Sequence, residues 1–298
     1  MSDWSGKSRG GVWGYRFFIF LIKHTNIKVV YFCIKVVAIY FLVFTNKVSL
    51  YFYFRKIHGY KRGRTIKSIY KNYCILGEVL VDKVMVLNGM TSRFTYSFEG
   101  EEYLQEMSNG GKGGILIGAH IGNWEMAGQL LDRIDTRINI LMLEAEHEKI
   151  RKEMDDFVGN RNFNIIPHKD DYSHLFLISE AVKNNEFVVL HGDRYLPGAN
   201  TVSTSFMGKP ARFPSGPLYL ASKNNVPVSF VYTLKDSPTH YHFYATPGKV
   251  FPYPSKLKTR KLHIKGMVDE YVSSLENIVS KYPLQWFNYH HFWEKETA

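Results

Sequence analysis

The sequence predicts an α/β fold, a mainly parallel sheet flanked by helices, preceded by an N-terminal hydrophobic membrane helix. Three observations carry this. Short apolar runs such as Gly114 to Ala119 (GILIGA) and Phe187 to Leu190 (FVVL) alternate with segments whose apolar residues recur at helical spacing, the pattern of strand–helix–strand units. A 17-residue apolar stretch, Val29 to Thr45, is interrupted only by Lys35, which is at the short limit for crossing a ~30 Å hydrocarbon core. The 298 residues, 45% hydrophobic and 15% aromatic, suffice for one large core, and no internal repeat or low-complexity linker marks a second globular unit.

Residues 1–60 read as a hydrophobic and basic membrane-anchoring segment, and residues 61–298 as the folded domain. The apolar stretch either crosses a bilayer or lies in its interface, with a buried core helix as the alternative. Tyr31, Tyr40, Tyr51 and Tyr53 near its ends, and the flanking Lys23, Lys28 and Lys47, suit headgroup-level anchors. The net charge of +11 is concentrated here: residues 1–77 hold 14 Lys/Arg against the single acid Asp3, so the remainder sums to −2. From Arg55 to Lys71 there are seven Lys/Arg and no acid, a partner for an anionic membrane surface worth roughly 1 kcal/mol per near-surface cation. Nucleic acid is not the expected partner, because no helix-turn-helix, zinc or ribonucleoprotein signature accompanies the charge. Cys33 and Cys74 form no CxxC or Cys/His cluster, so neither a disulfide framework nor a zinc site is expected, and a reducing compartment fits.

The folded domain begins with an amphipathic helix, Ile66 to Asn88. Strands are then expected at Gly114 to Ala119, Ile138 to Leu143, Asn164 to Pro167, Phe187 to Leu190, Val226 to Thr233 and His242 to Thr246. Helices are expected at Glu146 to Val158, Tyr172 to Lys183, Gly216 to Asn224 and Lys258 to Tyr282.

The chemistry concentrates at GAHIGNWE. His120 falls where the first central strand ends, the edge at which open α/β sheets keep their sites, and Asn123 is placed to N-cap a following helix. On one continuous helix, residues five apart point ~140° away from each other. His120 and Glu125 therefore meet only if Ile121-Gly122-Asn123 breaks the chain. A neutral imidazole can take a proton from an alcohol while a carboxylate on its other nitrogen fixes the tautomer. On that reading His120 is the general base and Glu125 its orienter, with no covalent intermediate, since no Ser or Cys stands in a G-x-S-x-G setting. A hydrogen-bonded strand-end histidine is the alternative for His120 on spacing alone.

GAHIGNWE resembles the H-x4-D/E block of the glycerolipid acyltransferase superfamily, and its Gly-Asn-Trp-Glu ending resembles the late lipid A (lauroyl/myristoyl type) acyltransferase family. Phe206 to Val228 (FMGKPARFPSGPLYLASKNNVPV) is similar to that family's second hallmark, and Tyr282 to Trp293 (YPLQWFNYHHFW) to its Pro-x-Gln-Trp closing motif. The resemblance implies a glycerol-3-phosphate acyltransferase-like fold. It also implies transfer of a fatty acyl group from an acyl thioester, on acyl carrier protein or coenzyme A, to a hydroxyl of a lipid A precursor. The expected location is the cytoplasmic face of the inner membrane, with no cofactor beyond the thioester co-substrate. The same chemistry on a lysophospholipid, aminolipid or polyene, and a non-catalytic membrane-binding protein, are the alternatives.

The chain departs from the family pattern at HGDR, where many members have Asp-Gln, and at Phe213, where Thr is common. Asp193 and Arg194 close the strand FVVLH on the same sheet edge as His120. Arg194 can clamp a phosphate or neutralise an oxyanion together with main-chain N–H groups, or form a structural pair with Asp193. Asn123 joins them as a candidate oxyanion or phosphate contact. In Phe206 to Ala211, Gly208 and Pro210 suit a tight turn that exposes Lys209 and Arg212. Such a loop can hold the phosphate of phosphopantetheine or of a headgroup, or be a solvated basic turn. The histidines do not predict a metal: His147, His168 and His174 lack ligand spacing, and His191-Gly-Asp193 alone is weak.

Overall fold

The computed structural model describes residues 18, 20–22, 24–87, 89–123, 126, 133–143, 163–168, 171, 173–254 and 256–294. The expected helix Glu146 to Val158 lies outside them.

The apolar stretch forms α1 (Ile27–Phe44), among the described residues the one helix long and apolar enough to cross a membrane. Asn26 caps it by accepting the Lys28 N–H at 3.0 Å. Its two faces differ in surroundings rather than polarity. Val30, Tyr31, Ile34 and Ala38 are buried, while Phe32, Val36, Tyr40, Val43 and Phe44 are 54–70% exposed. The buried face rests on α3 (Arg62–Leu87), reached through the short α2 (Val48–Phe52) and one wide turn, Tyr53–Ile57. Hydrogen bonds fasten this packing: Tyr70 hydroxyl to the Lys35 carbonyl at 3.2 Å, Thr45 with the Tyr73 hydroxyl at 3.0 Å, and the Tyr31 hydroxyl to the Asp82 carboxylate.

Beyond α3 come β1 (Thr95–Glu99), α4 (Glu101–Asn109), β2 (Gly114–Gly118), β3 (Ile138–Leu143), β4 (Phe163–His168), α5 (Ser173–Lys183) and β5 (Phe187–His191). The hairpin β6 (Thr201–Phe206) and β7 (Lys209–Pro214) follows, then α6 (Gly216–Asn224), β8 (Pro227–Ser237), β9 (His240–Ala245), the two-residue β10 (Lys249–Val250) and α7 (Leu257–Lys281). The main sheet has the order β1-β9-β8-β2-β5-β3-β4. From β8 to β4 every neighbouring pair is parallel; β9 runs antiparallel to β8, and β1 is parallel to β9. The central strand β2 is buried at all five positions, as expected of a parallel strand covered on both faces. The α/β class with a mainly parallel sheet is thus the observed one.

Three elements differ from expectation. β1 and α4 escape a periodicity reading because TYSFE is half-buried at its three central positions, exposed at both ends and too polar to register as a strand. Phe206 to Ala211 is not a free loop but the closed end of a hairpin, with Met207 and Gly208 at φ +52° and +77° between the paired Phe206 and Lys209, a two-residue turn that matches strand twist. Packing is continuous across residue 60. Leu50, Tyr53 and Phe54 enter the same core as Ile117 and Trp286, and full burial of each such side chain is worth about 1.5–3 kcal/mol.

Candidate functional site

β2 and β5 are neighbouring parallel strands whose last residues, Gly118 and His191, pair. Two residues further on, each chain delivers a polar side chain to the same edge: His120 from one, Asp193 from the other. The Asp193 carboxylate receives both the His120 backbone N–H, at 3.0 Å, and the imidazole through Nδ1, at 2.7 Å. The imidazole is a quarter exposed and the carboxylate almost fully buried (26% and 2%). Burial by itself would raise the Asp193 carboxyl, but His120, by charge and by hydrogen bond, outweighs it together with Arg194 and holds the group well below the usual carboxylate range. An anionic partner on Nδ1 leaves Nε2 as the imidazole nitrogen to exchange a proton with a ligand.

The segment after His120 is held from two sides. Asn123 donates its N–H to the Thr233 carbonyl of β8 at 2.8 Å. On the other side runs the C-terminal segment after α7: Gly122 N–H bonds the Gln285 carbonyl at 3.0 Å, Phe287 N–H bonds the His120 carbonyl at 2.9 Å, and Ile121 bridges Trp286. Gly122 makes the required break. It sits at φ +64°, and a Cβ there would lie 1.9 Å from the Thr233 carbonyl oxygen, so only glycine fits.

The other predicted residues distribute as follows. Glu125 lies outside the described residues. Asn123 is fully buried, its amide donating to the Val79 carbonyl at 3.2 Å and the Tyr241 hydroxyl at 3.3 Å; it supports the loop from the core side instead of facing a ligand. Arg194 donates to the Phe287 carbonyl at 2.8 Å, which ties the C-terminal segment to the His120 edge. Gly208 and Lys209 stand at the hairpin turn. There the Met207 N–H donates to Glu276 at 2.7 Å, and Arg212 is paired with Glu294 at 2.7 Å. These contacts fasten the hairpin to α7 and to the C-terminal segment.

Sequence reasoning missed two neighbours. His191 lies beside His120, ring centroids 4.3 Å apart and planes tilted by 58°, and its pKa is lowered to about 3 by withdrawal from water and by the His120 imidazole. His290 is lowered to about 4 by burial and then by Arg194. Both imidazoles are therefore neutral at neutral pH. The Pro-x-Gln-Trp motif was the available signal for the second, since it places residues 285–290 against the loop. Among the described residues no cluster of His, Cys, Asp and Glu could hold a metal ion.

A parallel α/β sheet thus carries a histidine–carboxylate pair at the carboxyl ends of two adjacent strands, the edge at which open α/β folds keep their sites. The pattern of the bacterial lipid A biosynthesis acyltransferase family matches residues 5–295, and the chain belongs to that family. It is similar to a phosphatidylinositol mannoside acyltransferase of Mycobacterium tuberculosis (strain H37Rv), 29% identical over 123 residues that make up 41% of this chain and 39% of the relative. It is also similar to the protein of that description from Mycolicibacterium smegmatis, 22% identical over 186 residues, 62% of this chain and 58% of the relative. The matched stretches thus span between two fifths and three fifths of these relatives. The solved 1-acyl-sn-glycerophosphate acyltransferase of Thermotoga maritima aligns with a TM-score of 0.40 and 13% identity, covering 84% of this chain and 98% of that one. Membership in a lipid-acyltransferase family and the apolar α1 together point to association with membranes.

Proposed function

We propose that the protein is a membrane-associated O-acyltransferase that moves a fatty acyl group from an acyl thioester to a hydroxyl of a phosphorylated glycolipid. The observation that carries this is the His120–Asp193 pair at the sheet edge. His120 Nε2 removes the hydroxyl proton as the alcohol oxygen attacks the thioester carbonyl. Asp193 holds the tautomer and stabilises the imidazolium, and the thiol leaves with the proton returned by His120. We assign the orienting role first given to Glu125 to Asp193, because Nδ1 accommodates one carboxylate partner; Glu125 is then the motif acid of the following segment. Arg194 borders the same edge and is suited to the oxyanion or to a headgroup phosphate.

The family description favours a lipid A precursor as acceptor and the relatives' names favour phosphatidylinositol mannoside. Both are anionic glycolipids with sugar hydroxyls, which is the shared chemistry proposed here. The donor is acyl carrier protein or coenzyme A, and the site is the cytoplasmic face of the inner membrane, where both donors are found. Lipid profiling by mass spectrometry with and without the gene tests this reading: the expected change is loss of one acyl chain from a glycolipid, restored by wild type and not by His120→Ala. An unchanged glycolipid profile would overturn it, and a change confined to lysophospholipids or polyenes would replace the acceptor.

A further inference from the structure

Away from His120, α3 and β8 bury an ion pair, Asp82 with Lys235. Withdrawing two opposite charges from water generally gives less stability than packed apolar side chains of the same volume, so the pair calls for a geometric role. Burial raises the Asp82 carboxyl, and the Lys235 charge with three hydrogen bonds counters it. Those bonds lead outward along separate elements. Toward α1, the Tyr31 hydroxyl donates to the Asp82 carboxylate and accepts from the Lys235 ammonium at 2.9 Å. Toward β9, the Tyr241 hydroxyl donates to the same carboxylate and accepts from the Asn123 amide at 3.3 Å.

A second route leaves from Lys235 itself. Its backbone N–H donates to Gln285 Oε1 at 2.9 Å and its carbonyl accepts from Gln285 Nε2 at 2.7 Å, while the Gln285 carbonyl accepts the Gly122 N–H at 3.0 Å. Two hydrogen-bonded chains therefore run from one buried carboxylate to the residues directly after His120, one through Tyr241 and Asn123, the other through Gln285 and Gly122. At its other end that carboxylate grips Tyr31, on the inner face of the helix whose outer face is exposed and apolar.

We propose that Asp82 and Lys235 are positioning residues for His120, transmitting the seating of α1 on the domain to the His120–Asn123 loop. They touch neither substrate nor the reacting atoms; they set where Nε2 stands. This rests on the acyl-transfer reading above. A displacement of about 1 Å at a reacting group costs on the order of 100-fold in rate, so a loosened loop is read in kcat, with ground-state binding little altered.

The test uses full-length protein in detergent micelles with total bacterial lipid extract, labelled palmitoyl-coenzyme A as donor, thermal unfolding by circular dichroism, and 15N-histidine NMR in which the His120 signal is identified by its loss in His120→Ala. Asp82→Asn and Lys235→Met are expected to lower kcat by roughly 10- to 100-fold with KM for palmitoyl-coenzyme A changed less than about 2-fold, and to shift the His120 signal. Tyr31→Phe, which removes the hydroxyl that joins α1 to Asp82, Lys235 and the Pro238 carbonyl, is expected to lower kcat by roughly 3- to 10-fold with the same signature. The double variant Asp82→Leu with Lys235→Met removes both charges and keeps the volume. It is expected to unfold at or above the wild-type temperature and still lack the lost kcat, and it decides the matter if a single variant does not fold. Wild-type kcat and an unshifted His120 signal in the folded double variant would overturn the proposal. If wild type transfers no more palmitoyl than His120→Ala from palmitoyl-coenzyme A and from palmitoyl-acyl carrier protein alike, the acyl-transfer reading fails. In that event the His120 signal alone decides, a shift in the double variant supporting the positioning role and no shift rejecting it.

Discussion

Asp193 receives His120 twice, the backbone N–H through Oδ2 at 3.0 Å and the imidazole Nδ1 through Oδ1 at 2.7 Å. One carboxylate thus fixes both where the residue sits and how its ring is turned, and the first prediction concerns this double grip. Asp193→Asn should keep the fold and lower kcat by about 10²–10⁴-fold, because an amide favours the wrong tautomer and cannot stabilise the imidazolium. Glu125→Gln is the comparison. If Asp193 orients His120, the Asp193 variant shows the larger loss in kcat at equal KM, and the reverse order returns the role to Glu125.

Gly122 should tolerate no side chain. Gly122→Ala forces a Cβ toward the Thr233 carbonyl 1.9 Å away in a left-handed backbone. The expected loss is at least about 2 kcal/mol, seen as a lower denaturant midpoint at unchanged m, accompanied by loss of transfer.

Trp286 is 1% exposed and bridges Ile121. Trp286→Ala should cost about 3–5 kcal/mol by cavity formation and loosen the loop from the C-terminal side. Urea unfolding measures the first effect, and hydrogen exchange of the Gly122 N–H measures the second.

Stability should fall in mild acid. His191 and His290 stay neutral in the fold down to about pH 3 and pH 4 respectively, whereas in the unfolded chain imidazoles protonate near pH 6.5. Unfolding therefore takes up protons below about pH 6.5, and the folded state loses stability progressively as pH drops from there toward 4. Thermal unfolding followed between pH 7.5 and 4.5 should show the decline, and the variant His191→Phe, neutral at every pH, should flatten it.

The outer face of α1 should bind bilayers. Phe32→Asp with Val36→Asp places two charges on residues 65% and 54% exposed, leaving the α3 contact intact. Flotation with anionic vesicles should show the variant released at salt concentrations that retain wild type, with an unchanged unfolding temperature.

The α/β class, the central strands, α1 and the long α7 were legible because periodicity and continuous apolar runs report burial directly. GAHIGNWE likewise announced a strand end followed by a break, and Gly122 supplies that break. The surroundings of the turn at Met207 and Gly208 were not legible, because a basic, glycine-containing turn looks alike whether its N–H groups face solvent or, as with Met207 and Glu276, another part of the chain.

His120 as a candidate residue was legible in the chain itself; the carboxylate that bonds its imidazole was not. Asp193 lies 73 residues away and meets His120 only because β2 and β5 pair in a register that sets residue 118 against 191 and so 120 beside 193. Local patterns follow from side-chain spacing along one segment. Strand order and register depend on how all the segments bury their apolar faces together, and that shared burial placed a distant carboxylate on the histidine.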